Sequence, residues 1–154
     1  MSPSRAKSGS SAGARSQNRS LAPADKLKRE IQAVLTDELR SDQHRLGRGR
    51  YDGFAYVAAE AYFHLAGGYD AGLHPMHLEH RGKSHWWLVD GGGRVIDMTL
   101  APRETSSFPY QRGKRRPFRY TPARISRRAQ TIAERVSGRA RPGWPGADRR
   151  PRGP

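Results

Sequence analysis

The segment SHWWLVDGGGRVIDMT, residues 84–99, constrains the fold of this chain more than any other stretch. Two short runs rich in aromatic, aliphatic and β-branched residues flank Asp90-Gly91-Gly92-Gly93, which reads as a β-hairpin. Successive side chains of a strand point to opposite faces. Trp87, Val89 and Val95 therefore share one face, and Trp86, Leu88, Ile96 and Met98 the other. A hairpin that is apolar on both faces has to be covered on both sides, or nearly so.

The covering material is helical. In GFAYVAAEAYFHLAGG, residues 53–68, the side chains Phe54, Val57, Ala58, Ala61, Tyr62 and Leu65 line one face of a helix running from about 54 to 66. It is the most apolar helix in the sequence, which places it centrally. Asp52 is positioned to accept from its first-turn N–H groups, and Gly67 or Gly68 to supply a left-handed C-cap. Residues 24–39 carry Leu27, Ile31, Val34, Leu35 and Leu39 at helical spacing, and TPARISRRAQTIAERV carries Ile125, Ala129, Ile132 and Val136. Between them HPMHLEHRG alternates as a strand does, with Met76, Leu78 and His80 set against His77, Glu79 and Arg81. The order helix, helix, strands, helix predicts one α+β domain over residues 23–137, its helices packed on a small antiparallel sheet.

At 154 residues the chain has room for one ordinary domain. Its net charge of +15 is uneven: residues 51–110 hold 4 Lys+Arg against 7 Asp+Glu, whereas residues 111–154 hold 14 against 2. Residues 1–22, Ser/Gly/Arg-rich, and 138–154, Pro/Arg/Gly-rich, cannot bury apolar surface and are expected to be disordered basic tails. No apolar run approaches the roughly 20 residues of a membrane span, and no apolar segment of a secretory signal follows the basic start. The expected location is cytoplasmic, in the host if the protein is phage-encoded. Cysteine is absent, which excludes disulfides and thiolate metal sites.

His85 lies near the start of the hairpin and Asp97 near its end. A three-residue loop over residues 90–92 pairs Val89 with Gly93, gives Gly92 the left-handed position, and sets His85 opposite Asp97 at about 5 Å between Cβ atoms. A four-residue loop would send the two side chains to opposite faces. In the first register the carboxylate orients the imidazole and stabilises its charged form. Position 55 falls in the first turn of the central helix, where the dipole and free N–H groups favour a thiolate and an oxyanion. The residue there is Ala55, which has no lone pair. The plainer readings are a structural His85 beside a tryptophan pair, an Asp97 that caps a turn with Thr99, and Trp86 and Trp87 as core.

His74, His77, His80 and His85 with Glu79 raise a metal site, but on a strand His77 and His80 point to opposite faces, so no metal or other cofactor is expected. The basic C-terminal third interleaves Arg115, Arg116, Arg119, Arg127 and Arg128 with Phe118, Tyr120 and Trp144. Arginine binds phosphate and aromatic rings stack on bases, which implies salt-sensitive, sequence-tolerant nucleic-acid contact. The plain alternative is a solvated, charged helix face.

From residue 50 to about 136 the chain resembles a family of small, functionally unassigned proteins of actinobacterial phages and prophages. Their pattern runs Gly-x-Cys-Tyr-x-Ala-Ser-Glu-Ala, then His-Trp-Phe-Leu, Ile-Leu-Asp-x-Thr, and Pro-Tyr before a Gly/Arg-rich segment. The layout is similar to papain-like and transglutaminase-like folds. The resemblance implies that Ala55 holds the position of a nucleophilic Cys, with His85 the base and Asp97 its orienter; Glu60 matches as well. Residues 113–118, GKRRPF, depart from a pattern richer in glycine. Three origins of Ala55 stand open: a substitution made to trap an inactive enzyme, a natural loss leaving a pseudoenzyme, or a binding fold that never used the thiol. The expectation is a catalytically silent thiol hydrolase or acyltransferase domain acting on a protein or peptide. With a cysteine at position 55 it would be a peptidase, amidase, deamidase or transglutaminase. The alternative is a phage-type accessory protein that binds nucleic acid or a protein through its basic flanks.

Overall fold

The computed structural model of the chain describes residues 23–41, 50–120 and 123–138. Apart from Gly138, the two expected basic tails lie outside these residues. The elements are α1 (Pro23–Ala33), α2 (Ala55–Leu65), β1 (His74–His80), β2 (Lys83–Val89), β3 (Val95–Ile96), a short α3 (Pro102–Thr105), β4 (Lys114–Arg115) and α4 (Arg127–Ser137). The four strands form one antiparallel sheet in the order β3-β2-β1-β4. The fold is a single α+β domain.

The hairpin is covered on both faces. Trp86, Leu88, Ile96 and Met98 enter the main core with Val57, Ala58, Ala61 and Tyr62 of α2, Leu27 and Ile31 of α1, and Ala129 and Ile132 of α4. Trp87 is fully buried on the other face, where Phe108 and Tyr110 pack edge-on against its ring. Gly113 completes that cover: a Cβ built there would lie 2.2 Å from the Trp87 ring, so the backbone approaches the indole too closely for any residue but glycine.

Three local expectations are corrected. The hairpin loop has three residues but sits one position later: Asp90 N–H donates to the Arg94 carbonyl, and Gly93 rather than Gly92 takes the left-handed conformation, at φ +82°. Val89 then pairs with Val95 instead of Gly93. The cause is Asp90, whose carboxylate accepts from the N–H groups of Gly92 and Arg94 and so closes the turn one residue on. The register slips by two, and an even slip keeps every side chain on its face.

The first helix ends at Ala33 rather than 39, because Thr36 is extended and a 3-10 turn follows over Asp37–Leu39. Arg135 of α4 captures the broken end, donating to the Val34 carbonyl, the Thr36 hydroxyl and the Glu38 carboxylate. That pairing with Arg135 holds the Glu38 carboxyl at about 2. Lastly, Asp52 does not cap α2. The N-cap is Phe54, which makes no side-chain cap, and the chain enters the helix through Gly53 at φ +79°. At the other end Gly67 is left-handed, as expected. Among the described residues no helix is long and apolar enough to cross a membrane.

Candidate functional site

β2 carries His85 and the chain leaving β3 carries Asp97. Although Asp97 is no longer directly across the hairpin from His85, the two share a face and meet diagonally. His85 Nε2 lies 2.6 Å from Asp97 Oδ2, and both residues are buried. Tyr110 donates its hydroxyl to the same Oδ2 at 2.8 Å. The other oxygen, Oδ1, accepts from the N–H groups of Thr99 at 2.9 Å and Leu100 at 3.0 Å. Asp97 thus does both things weighed from the sequence: it caps a turn and holds the histidine. Burial alone would raise its carboxyl, but the hydrogen bond and charge of His85 and the two amides outweigh burial and bring it below the usual range.

An ionised Asp97 only accepts, so the proton between it and His85 belongs to Nε2. The neutral ring therefore presents an unprotonated Nδ1, and no described residue bonds to it. Trp87 stacks on the imidazole at 5.9 Å between centroids, and Phe108 tilts against it at 4.7 Å. These two rings pack against the imidazole on the side of Trp87 and Phe108. Burial, followed by the Asp97 charge, drives the Tyr110 hydroxyl far above the ordinary tyrosine value, so it stays a donor at any working pH.

A cleft of about 760 Å³ opens beside this pair. Ala55 and Tyr56 of α2, His85 and Trp86 of β2, and Thr99 and Leu100 all line it. The structure thereby brings all three predicted catalytic positions to one place: Ala55 and His85 in the cleft wall, Asp97 behind His85. The approach to Ala55 is held by Arg40, a 9 % exposed arginine that sequence reading passed over in a polar connection. Its guanidinium donates to Asp37 and to the carbonyls of Arg50 and Asp52, and stacks over Phe54 at 4.6 Å. Tyr110 and Phe108 were missed as well. The signal for Tyr110 was the Pro-Tyr pair in the resemblance, which carried no assigned role.

Glu60, matched by the resemblance without a role, is fully buried on α2. Its carboxylate accepts from the Ser126 N–H at 2.9 Å and hydroxyl at 2.5 Å, and Ser126 Oγ in turn caps α4. Burial raises the Glu60 carboxyl above its usual range despite these bonds. Its place is at the α2–α4 contact, outside the cleft lining.

The arginines divide. Arg115, Arg116, Arg119 and Arg127 are exposed; Arg116 lies over Trp86 and Arg119 over Tyr120. Arg128 is half-buried, lines the cleft and donates to the Arg40 carbonyl at 3.0 Å. Backbone groups anchor both arginine-bearing segments one turn apart on α2: Arg119 N–H donates to the Tyr56 hydroxyl, and Ser126 to Glu60. Among the described residues no group of three or more His, Asp or Glu is placed to hold a metal ion; His77 instead bonds Ser84 and Glu79.

No protein-family model matches the chain, and neither a curated protein nor a solved structure is significantly similar to it.

Proposed function

We propose that this domain is a catalytically silent thiol hydrolase or acyltransferase of papain/transglutaminase-like layout, of the kind the actinobacterial phage proteins resemble. The buried His85–Asp97 pair in the wall of a cleft that also contains Ala55 carries this reading. In the active form, with a cysteine in place of Ala55, the thiolate would attack the acyl carbon of a carboxamide in a protein or peptide. His85, charged after taking the thiol proton, would give it to the departing amine as the thioester forms, and water or a second amine would then release the acyl group. First-turn N–H groups of α2 would face the developing oxyanion. Ala55 offers no atom to attack, and removing the nucleophile of an intact triad costs on the order of 10⁶ in turnover. The chain as it stands is silent in this reaction.

The absence of other cysteines makes Ala55→Cys a unique thiol. Its alkylation by iodoacetamide, followed against pH, is expected to titrate well below the unperturbed value of about 8.5, and to return to it with His85→Ala. A thiol that is inert, or that titrates normally whatever stands at 85, overturns the reading.

A second reading rests on the exposed Arg115, Arg116, Arg119 and Arg127 with exposed Tyr120: an accessory protein whose basic flank contacts nucleic acid or a protein partner. Phosphate contact predicts that retention of the chain on DNA falls steeply between low and moderate salt. Retention that is flat across that range rejects it.

A further inference from the structure

Resting on that reading of the cleft, we propose that Arg81 and Lys83 form an anion subsite, which makes an acidic peptide, with a carboxylate beside the reacting acyl group, the preferred substrate class. Arg81 sits in the β1–β2 turn and Lys83 opens β2 directly after it, and both line the cleft. Lys83 stands two positions before His85 on β2, so its side chain leaves the same face about 7 Å along the strand. His80 and Lys83 pair across a two-residue turn whose central residues, Arg81 and Gly82, have φ of +51° and +72°. Such a turn favours Asn, Asp or Gly at its first position. Arg81 is the one non-glycine residue at positive φ among the described residues, a conformation disfavoured for a long side chain. Disfavoured backbone kept at the mouth of a cleft points to the side chain it displays.

Among the described residues nothing neutralises either cation. Arg94 is paired with Asp25, Arg135 with Glu38 and Arg40 with Asp37, whereas Arg81 and Lys83 make no ion pair with a described residue. Of the carboxylates lining the cleft, Glu104 is turned onto the Ala101 N–H and Asp52 stands on the α2 side, next to Gly53 and Ala55. Two cations beside the histidine, in a concavity that excludes part of the solvent, would attract a carboxylate more strongly than the same charges on an open surface.

The test uses the full chain with Ala55→Cys and compares two reagents of one chemistry, iodoacetate and iodoacetamide. Both alkylate the same sulfur, so the ratio of their rates cancels thiolate fraction and access and reports the local field. The ratio is expected to exceed that of the same protein in urea, to fall with added salt, and to drop on the order of threefold with Arg81→Asn and Lys83→Gln together. Asn suits the left-handed turn position, so these variants should unfold in urea no more easily than the parent. A ratio unmoved by the double substitution overturns the subsite, as does a thiol that reacts with neither reagent. At matched ionic strength glutarate should slow iodoacetate; inorganic phosphate competing better than glutarate overturns the acidic-peptide assignment. Because both reagents meet the same thiolate, any thiol that reacts lets the two proposals fail separately. A normally titrating thiol with a charge-sensitive ratio removes the triad and keeps the subsite, and the reverse pattern does the opposite.

Discussion

Asp97 receives a histidine, a tyrosine hydroxyl and two backbone amides while only 4 % exposed. Asp97→Asn keeps the shape but puts an NH₂ where one of those donors points, and the expected loss is about 3 kcal/mol in urea unfolding. The pH dependence follows from the depressed carboxyl. Its contribution is whole above the unfolded value of about 3.9 and is lost as pH falls through the lower folded value, so acid unfolding should be blunted in Asp97→Asn. Glu60 has the opposite sign. Its raised carboxyl favours the folded state fully below about 4.3, and that advantage is lost as pH rises through the folded value. Glu60→Gln should therefore flatten the decline in stability on the alkaline side of this window, measured as urea midpoints across pH. The sequence made His85 and Asp97 legible because hairpin parity places them on one face even after a register error of two. It could not show Tyr110, 13 residues downstream of its partner, since nothing in a Pro-Tyr pair says which carboxylate a loop will reach.

At the scale of elements, the turns decide what periodicity does not. The apolar alternation marked β2 and both faces correctly, but β3 stops at Ile96 instead of running on to Thr99, and the position of the loop depended on which backbone groups Asp90 would bind. Likewise the apolar stripe of the first helix continued to Leu39, and Leu39 is indeed buried; the helix nevertheless stops at Ala33 because Arg135, distant in sequence, satisfies the freed groups. The central helix was the most legible element, being apolar nearly all round. Two substitutions probe the joints. Gly113→Ala forces a methyl group against the Trp87 ring and should cost about 3 kcal/mol, with a change in tryptophan emission as the indole moves. Ser126→Ala removes the hydroxyl that both caps α4 and donates to buried Glu60, leaving only the backbone N–H on that carboxylate. It should cost about 2 kcal/mol in urea unfolding, largely recovered by adding Glu60→Gln only if the buried charge is the main penalty.

For the whole molecule, most of the positive charge and the candidate chemistry are carried by different parts. Most of the cleft lining comes from the mildly acidic middle of the sequence, with Arg128 added from α4, and the exposed Arg115, Arg116, Arg119 and Arg127 lie after that middle. A partner drawn to the basic flank and a peptide held in the cleft would thus bind without competing, which a DNA-retention assay with and without a saturating acidic peptide can show. Base catalysis by this pair requires that Asp97 fix the histidine so that its Nδ1 is the free base. The measurement that tests this on the unmodified chain is the ¹⁵N spectrum of the His85 ring in its neutral form. The expected result is a single tautomer with the proton on Nε2 and a pyridine-type Nδ1, lost in Asp97→Asn. A proton on Nδ1, or a mixture of tautomers that Asp97→Asn leaves unchanged, would contradict it.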